Sequence, residues 1–369
     1  MNAFENGRML ARALSGAWRK EALPLPTSDG IAENAELIIR TGAAGIVHRR
    51  LTKTPGADGD LFRQVVRQQT LAEAIRTKNL EKVLVGLAAR GIEPTVIKGW
   101  TLARYYPERG LRPFADFDLV IEPHELERTC QALLELGTAA IDVPEGIARP
   151  AFLGTPVPNE APKPQEICVD LHLGHHRLID RIASERDRRV LREKLGEASV
   201  RTLGPEDHLR TVALHLFEHA TWRSLCLVDI AILVEHHAHE IDWNYLFAGE
   251  PRRTEAVVMA LRLSHEILGA RFDLRVLDGR PSLPRWLPST LLRIWGTPFK
   301  PAFRFDEVAR TPTALWEAAK RRWPNPIVAT FAIGGSFNNL PRLPYQLVDF
   351  LGRGKRYLVK RARNRLSAS

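Results

Sequence analysis

Two carboxylates two residues apart, inside an otherwise apolar run, constrain this chain more than any other feature. The run is Arg112-Pro-Phe-Ala-Asp116-Phe-Asp118-Leu-Val-Ile121. In a β-strand successive side chains point to opposite faces, so Asp116 and Asp118 share one face and Phe117 and Leu119 share the other. The apolar face can pack on a core. The acidic face then holds two like charges close together, which costs energy unless a cation sits between them. Carboxylate oxygens on a rigid strand suit Mg²⁺ or Mn²⁺. A second run, Ile167-Cys168-Val169-Asp170-Leu171-His172, repeats the pattern, with Asp170 opposite Ile167, Val169 and Leu171. His172 falls on the same face as Asp170, as a neighbour of the metal ligands or simply as a strand-end histidine. Three carboxylates on two strands suit a two-metal phosphoryl-transfer site.

A lone D-x-D is more often solvated or paired with arginine than metal-bound, so its context decides its weight. Upstream lies Glu93-Pro-Thr-Val-Ile-Lys98-Gly99-Trp100-Thr-Leu-Ala-Arg-Tyr-Tyr106, a short strand-like run broken by Gly99 and followed by helical spacing. A glycine at a strand-to-helix turn lets backbone N–H groups approach an anion at the helix start. The helix running to Arg90 meets Gly91, a residue suited to a helix end, just before this strand. Pro123 suits the first turn of a helix through Leu126, Leu133 and Leu134 to Gly137. Residues 144–165 hold six prolines and read as a long irregular connection. The order is therefore strand, glycine turn, helix, D-x-D strand, helix, and later a strand with one Asp.

That order resembles the nucleotidyltransferase superfamily of the DNA polymerase β type. More narrowly, Lys98-Gly99, Arg112, Asp116-Phe-Asp118-Leu-Val120 and Val169-Asp170-Leu171-His172 resemble the bacterial uncharacterised nucleotidyltransferase family. Leu203-Gly-Pro-Glu-Asp-His208-Leu, with His215, His219 and Val228-Asp229-Ile230, is similar to that family's helical region. The resemblance implies an α+β fold, a small mixed β-sheet core flanked by N-terminal helices and a C-terminal helical domain. The expected division is an N-terminal helical region at 1–80, the nucleotidyltransferase core at 81–203, a helical domain at 204–325 and a basic C-terminal tail at 326–369. It further implies Asp116, Asp118 and Asp170 as catalytic and metal-binding residues, and Lys98, Gly99, Trp100 and Arg112 at the nucleotide. Mg²⁺ or Mn²⁺ is the implied cofactor, an NTP (ATP first) the donor, and a hydroxyl group on an unidentified molecule the acceptor. Arg112 reads equally as a phosphate clamp or as a structural ion pair. Trp100 stands where the wider superfamily usually has serine, which favours a non-catalytic nucleotide-binding relative as the alternative.

Other readings weigh less. Glycosyltransferases also use a D-x-D pair, but theirs follows a parallel-sheet half of the fold, whereas here the preceding segment is helical. His215-Leu-Phe-Glu218-His219 fits the H-x-x-E-H zinc hydrolase motif, a short match that arises readily among twelve histidines. Three widely spaced cysteines, Cys130, Cys168 and Cys226, indicate neither a disulfide framework nor a zinc site. With no apolar leader or spanning segment, the chain is expected to be cytoplasmic. Its net charge of +10 looks like a polyanion signal until it is located. From Arg342 onward eight Lys or Arg face one Asp, so +7 of the +10 sits there. That tail reads first as a solvated terminal segment and second as a contact for an anionic membrane or a nucleic acid.

Overall fold

The computed structural model describes residues 2–143, 150, 163, 165–173, 189–218, 221–298, 316, 319, 320 and 322–366. Most of the proline-rich connection at 144–165 lies outside the described residues, as does His219. The N-terminal helices are α1 (Ala3–Leu14), α2 (Ala35–Arg40), α3 (Ala44–Leu51) and the long α4 (Arg63–Ala88). The core follows with β1 (Thr95–Ile97), α5 (Gly99–Ala103), β2 (Phe117–Ile121), α6 (Leu126–Glu135), β3 (Ala140–Asp142), β4 (Cys168–Leu173), β5 (Val190–Leu195) and β6 (Ala198–Leu203). Helices then dominate: α7 (Pro205–Glu218), α8 (Ser224–His236), α9 (Trp243–Leu246), α10 (Pro251–Leu268), α11 (Trp286–Trp295), α12 (Pro326–Ala332) and α13 (Leu343–Leu366).

The six strands form one mixed sheet in the order β3-β4-β2-β1-β6-β5. β2 runs antiparallel to β1 and parallel to β4, and β4 runs parallel to β3. This is the α+β architecture, a small mixed sheet between helices, that the motif order implies. The period of two sorts the sheet's faces as the sequence requires. Phe117, Leu119 and Ile121 of β2 join Val169, Leu171 and Leu173 of β4 in one buried cluster. Leu80, Val83, Leu84 and Leu87 of α4 and Cys130 and Leu133 of α6 close it from outside. The opposite face carries the acidic side chains beside a small apolar patch of Ile97, Val120 and Leu203.

A second cluster joins the N-terminal helices to those that follow the sheet. Residues of α1 and α3 pack with those of α7, α8, α10 and α11 in one continuous core. The helices expected at 1–80 and those expected at 204–325 therefore close on each other beside the sheet. Contact between α1 and α11 depends on missing side chains, since a Cβ at Gly7 would collide with the Leu292 carbonyl and one at Gly296 with that of Ala3.

One buried polar node ties this helical part to the sheet. Arg112 places Nε 2.8 Å from Asp229 Oδ1 and Nη2 2.9 Å from Oδ2, while its Nη1 donates to the Gly99 carbonyl at 3.1 Å. The Tyr106 hydroxyl donates to the same Asp229 at 2.7 Å. Nearby, Thr101 Oγ1 and His208 Nε2 meet at 3.2 Å, joining α5 to α7. Burial alone would disfavour the Arg112 cation, but Asp229 more than compensates and its pKa rises. Removing one partner of such a pair strands a buried charge, so Asp229→Ala is expected to cost about 3–5 kcal/mol in urea unfolding. Arg112→Met combined with Asp229→Leu should cost less than either single change, and strict additivity would show that the two groups are not coupled.

Candidate active site

Asp118, Asp170 and His172 converge on the polar face of the sheet, each offering a ligand atom within 4.8 Å of the others. Register explains the convergence. In the parallel β2–β4 pair Asp118 lies opposite Asp170 and Val120 opposite His172. Alternation then turns both acids and the imidazole to the same side. His172 Nε2 is 2.9 Å from Asp118 Oδ1 and 3.5 Å from Asp170 Oδ2. On the edge strand Asp142 pairs with Asp170, extending the acidic row by one position.

Lys98 reaches the same point from the neighbouring strand, with Nζ 2.6 Å from Asp118 Oδ1. Its backbone is unusual: φ 53°, ψ −138°, the single positive φ among the described non-glycine residues. A conformation of this kind costs about 1–3 kcal/mol and persists only where its surroundings over-determine it. Those surroundings are visible. Thr101 Oγ1 donates to the Lys98 carbonyl at 2.6 Å, and Arg112 holds the next carbonyl, that of Gly99. Gly99 is itself at φ 30°, with the Asp116 carbonyl and Phe114 packed close enough to meet any Cβ placed there.

The carboxylates differ in their electrostatics. Burial pushes the Asp118 pKa up, but the His172 hydrogen bond and the Lys98 charge outweigh it, and the net shift is downward. Asp170 is pushed up to about 6, first by burial and then by repulsion from Asp118 and Asp142, against the pull of His172 and Lys98. Lys98 is held above its ordinary value because the Asp118 carboxylate overcomes its desolvation. Asp116 stands immediately before β2 with its surface open to solvent. The protein packed around it still penalises its charge, Asp118 adds repulsion, and its pKa rises despite Lys98 and Arg223.

Sequence expectation and structure can now be compared residue by residue. Asp118, Asp170, His172, Lys98 and Gly99 come together, while Asp116 borders the group and is not among its three ligand residues. Trp100 leans on the apolar cluster beneath the sheet, with the Arg104 guanidinium 5.8 Å from its ring centre. Arg112 lies behind the glycine turn, and each of its three nitrogens is committed to Asp229 or Gly99. Of the zinc motif, His215 and Glu218 lie on α7, while His219 is outside the described residues. Asp229 was legible as part of Val228-Asp229-Ile230, an acid in an apolar run similar to the family's helical region, but its partner was not. Arg223, near the start of α8, carried no signal in the sequence.

The sheet sets acids on two parallel neighbouring strands beside a strained lysine-glycine turn, an arrangement that suits phosphoryl transfer. The model of the uncharacterised nucleotidyltransferase family matches residues 28–269, and the chain belongs to that family. Its general chemistry is thus nucleotidyl transfer. No curated protein and no solved structure matches the chain.

The two shifted acids should respond oppositely to neutralisation in metal-free protein. Asp170 holds its proton up to about 6, against an ordinary value of 3.8, so between those values the folded state binds a proton the unfolded chain has released. Stability therefore falls as pH rises through that window. Asp170→Asn should remove this slope and raise the melting temperature above pH 6. Asp118 contributes stability that is present above the ordinary carboxylate range and lost as pH falls through its depressed pKa. Asp118→Asn leaves Lys98 and His172 without their acceptor and should lower the melting temperature at neutral pH. Melting curves from about pH 2 to about 8 test both signs.

Proposed function

We propose that this protein transfers a nucleoside monophosphate from an NTP, ATP first, to a hydroxyl group of an acceptor and releases pyrophosphate. The observation that carries this reading is the row setting Asp118 against Asp170 beside the Lys98–Gly99 turn, in a chain of the nucleotidyltransferase family. The donor set fits a divalent cation: two carboxylates and an imidazole nitrogen within 4.8 Å, balanced in this structure by the Lys98 ammonium. Mg²⁺ or Mn²⁺ held by Asp118 and Asp170, with Asp116 at the border, would supply Lewis-acid polarisation of the α-phosphate.

The chain's own residues would do the rest. Lys98 exchanges its Asp118 partner for phosphate oxygens, so its charge moves from the acid to the bound triphosphate. Backbone N–H groups at the Gly99 turn line the same path, and Gly99 permits their close approach. Asp170, more accessible than Asp118, takes the acceptor hydroxyl's proton as that oxygen attacks the α-phosphorus in line. His172 bridges both acids and fixes their spacing. Arg112 acts at one remove by holding the Gly99 carbonyl. One observation favours a non-catalytic nucleotide-binding relative instead. Trp100 replaces the usual serine, and the neighbouring Thr101 hydroxyl is already bound to the Lys98 carbonyl and His208.

Binding and chemistry can be separated by calorimetry and by transfer of an α-labelled nucleotide. Asp118→Asn should abolish metal-dependent NTP binding. Asp170→Asn should keep binding within a few fold yet lose turnover by roughly two orders of magnitude or more. Mn²⁺ should support tighter binding than Mg²⁺, because an imidazole nitrogen suits the former better. Unchanged metal-NTP affinity in Asp118→Asn would sink the site assignment. Tight NTP binding without label transfer to any hydroxyl acceptor would favour the non-catalytic reading.

A further inference from the structure

The last helix has two unlike sides. On the inner side Arg342, just ahead of α13, is buried against Asn338 and the carbonyls of Ser336 and Leu340, with its guanidinium 4.2 Å from the Tyr345 ring centre. Asp349 is 3% exposed and paired with Arg353 at 2.7 Å, and Phe350 packs on Trp323. Gln346 donates to the Pro324 carbonyl at 2.7 Å. These contacts dock the first turns of α13 on the body.

The outer side is aliphatic and uncovered. Leu343, Leu347 and Leu351 are 57%, 43% and 68% exposed and recur every four residues, forming one stripe along the helix. Val348, 57% exposed, flanks it, and Leu340, at 59%, stands just ahead of it. In the sequence Leu358, Ala362 and Leu366 continue the helical period. Scattered exposed leucines are ordinary, but a contiguous stripe marks an interaction surface.

Charge identifies the partner. Eight Lys or Arg lie from Arg342 onward against one acid, Asp349, and that acid is spent on Arg353 inside the fold. A second copy would bring two strongly basic helices together. A nucleic acid would use the basic residues and leave the leucines in water. An anionic bilayer surface satisfies both: aliphatic side chains enter the acyl boundary while Lys and Arg meet lipid headgroups. Among the described residues no helix is long and apolar enough to cross a membrane, so the contact is one of lying on the surface. We infer that the Leu343–Leu347–Leu351 face of α13, with its basic residues, seats this protein on an anionic lipid bilayer.

Sedimentation of the full chain with vesicles tests this. Phosphatidylcholine vesicles carrying about one third phosphatidylglycerol should bind it, neutral phosphatidylcholine vesicles should not, and binding should weaken as salt rises. Leu347→Ser with Leu351→Ser should cut binding roughly tenfold or more, because the apolar contribution is lost while charge is untouched. Both leucines are exposed, so the melting temperature should hold. Lys355→Ala with Arg356→Ala, also exposed, should weaken binding by the electrostatic route. No binding of the wild type to anionic vesicles overturns the inference. So does a leucine variant that binds like wild type, and poly(U) binding that only the basic pair affects would then assign the surface to nucleic acid. A wild-type dimer that the leucine variant splits, with no vesicle binding, would assign it to a second copy.

Discussion

The Arg112–Asp229 fork is the interaction on which the geometry of the site depends. Its two ends belong to different parts of the fold, the loop before the D-x-D strand and the first turns of α8. Its third nitrogen reaches the Gly99 carbonyl and so fixes the turn that presents Lys98. A strained lysine cannot hold its backbone shape by local preference, because left-handed φ disfavours any residue with a Cβ. The strain persists because Arg112 and Thr101 clamp successive carbonyls of the turn from behind. Helical packing and site geometry are thus coupled: loosening α8 would release the turn before it disturbed the sheet.

The acidic face resolves its like-charge problem unevenly. Lys98 and His172 both lean on Asp118, which keeps that carboxylate ionised in a place where burial alone would neutralise it. Asp170 receives less help and faces Asp118 on one side and Asp142 on the other, so it retains a proton more readily. One acid therefore favours its charged form more than usual and the other its protonated form. A cation arriving with triphosphate would meet a prepared ligand in Asp118 and would complete the ionisation of Asp170. Lys98 already stands in for part of that positive charge, and phosphate oxygens offer it an alternative partner.

How much of this was legible in the sequence depends on the range of each interaction. Alternation within a strand is local, so the apolar face of Phe117, Leu119 and Ile121 and the polar setting of Asp118 could be read directly from residue spacing. The mixed sheet and its flanking helices were implied by the family that the order of motifs resembles. Register is not local. That Asp118 pairs with Asp170, and that His172 therefore reaches Asp118 diagonally, depends on chain segments some fifty residues apart. Arg112 shows the same limit more sharply. Beside D-x-D its fork suited phosphate or a nearby aspartate equally well, and the partner that occupies it, Asp229, lies 117 residues away. The shared core of the N-terminal helices and those after the sheet was likewise invisible, since amphipathic spacing shows which face is buried but not against what.

Trp100 illustrates how a departure from a family pattern can be read physically. A serine at the turn would offer a hydroxyl to phosphate; tryptophan offers none and would block the turn if it pointed the same way. Here the indole packs on the apolar cluster beneath the sheet and carries Arg104 over its ring. The substitution therefore removes a donor while the indole itself packs beneath the sheet. What remains at the turn is backbone N–H, the Lys98 ammonium and the positive potential that Arg223 contributes at Asp116. On the proposed reading, charge of this kind would attract a triphosphate without fixing its orientation as a hydroxyl would. Orientation would then fall to the acids and the cation proposed for them, so that the precision of the site would rest on the row from Asp118 to Asp170 rather than on the turn.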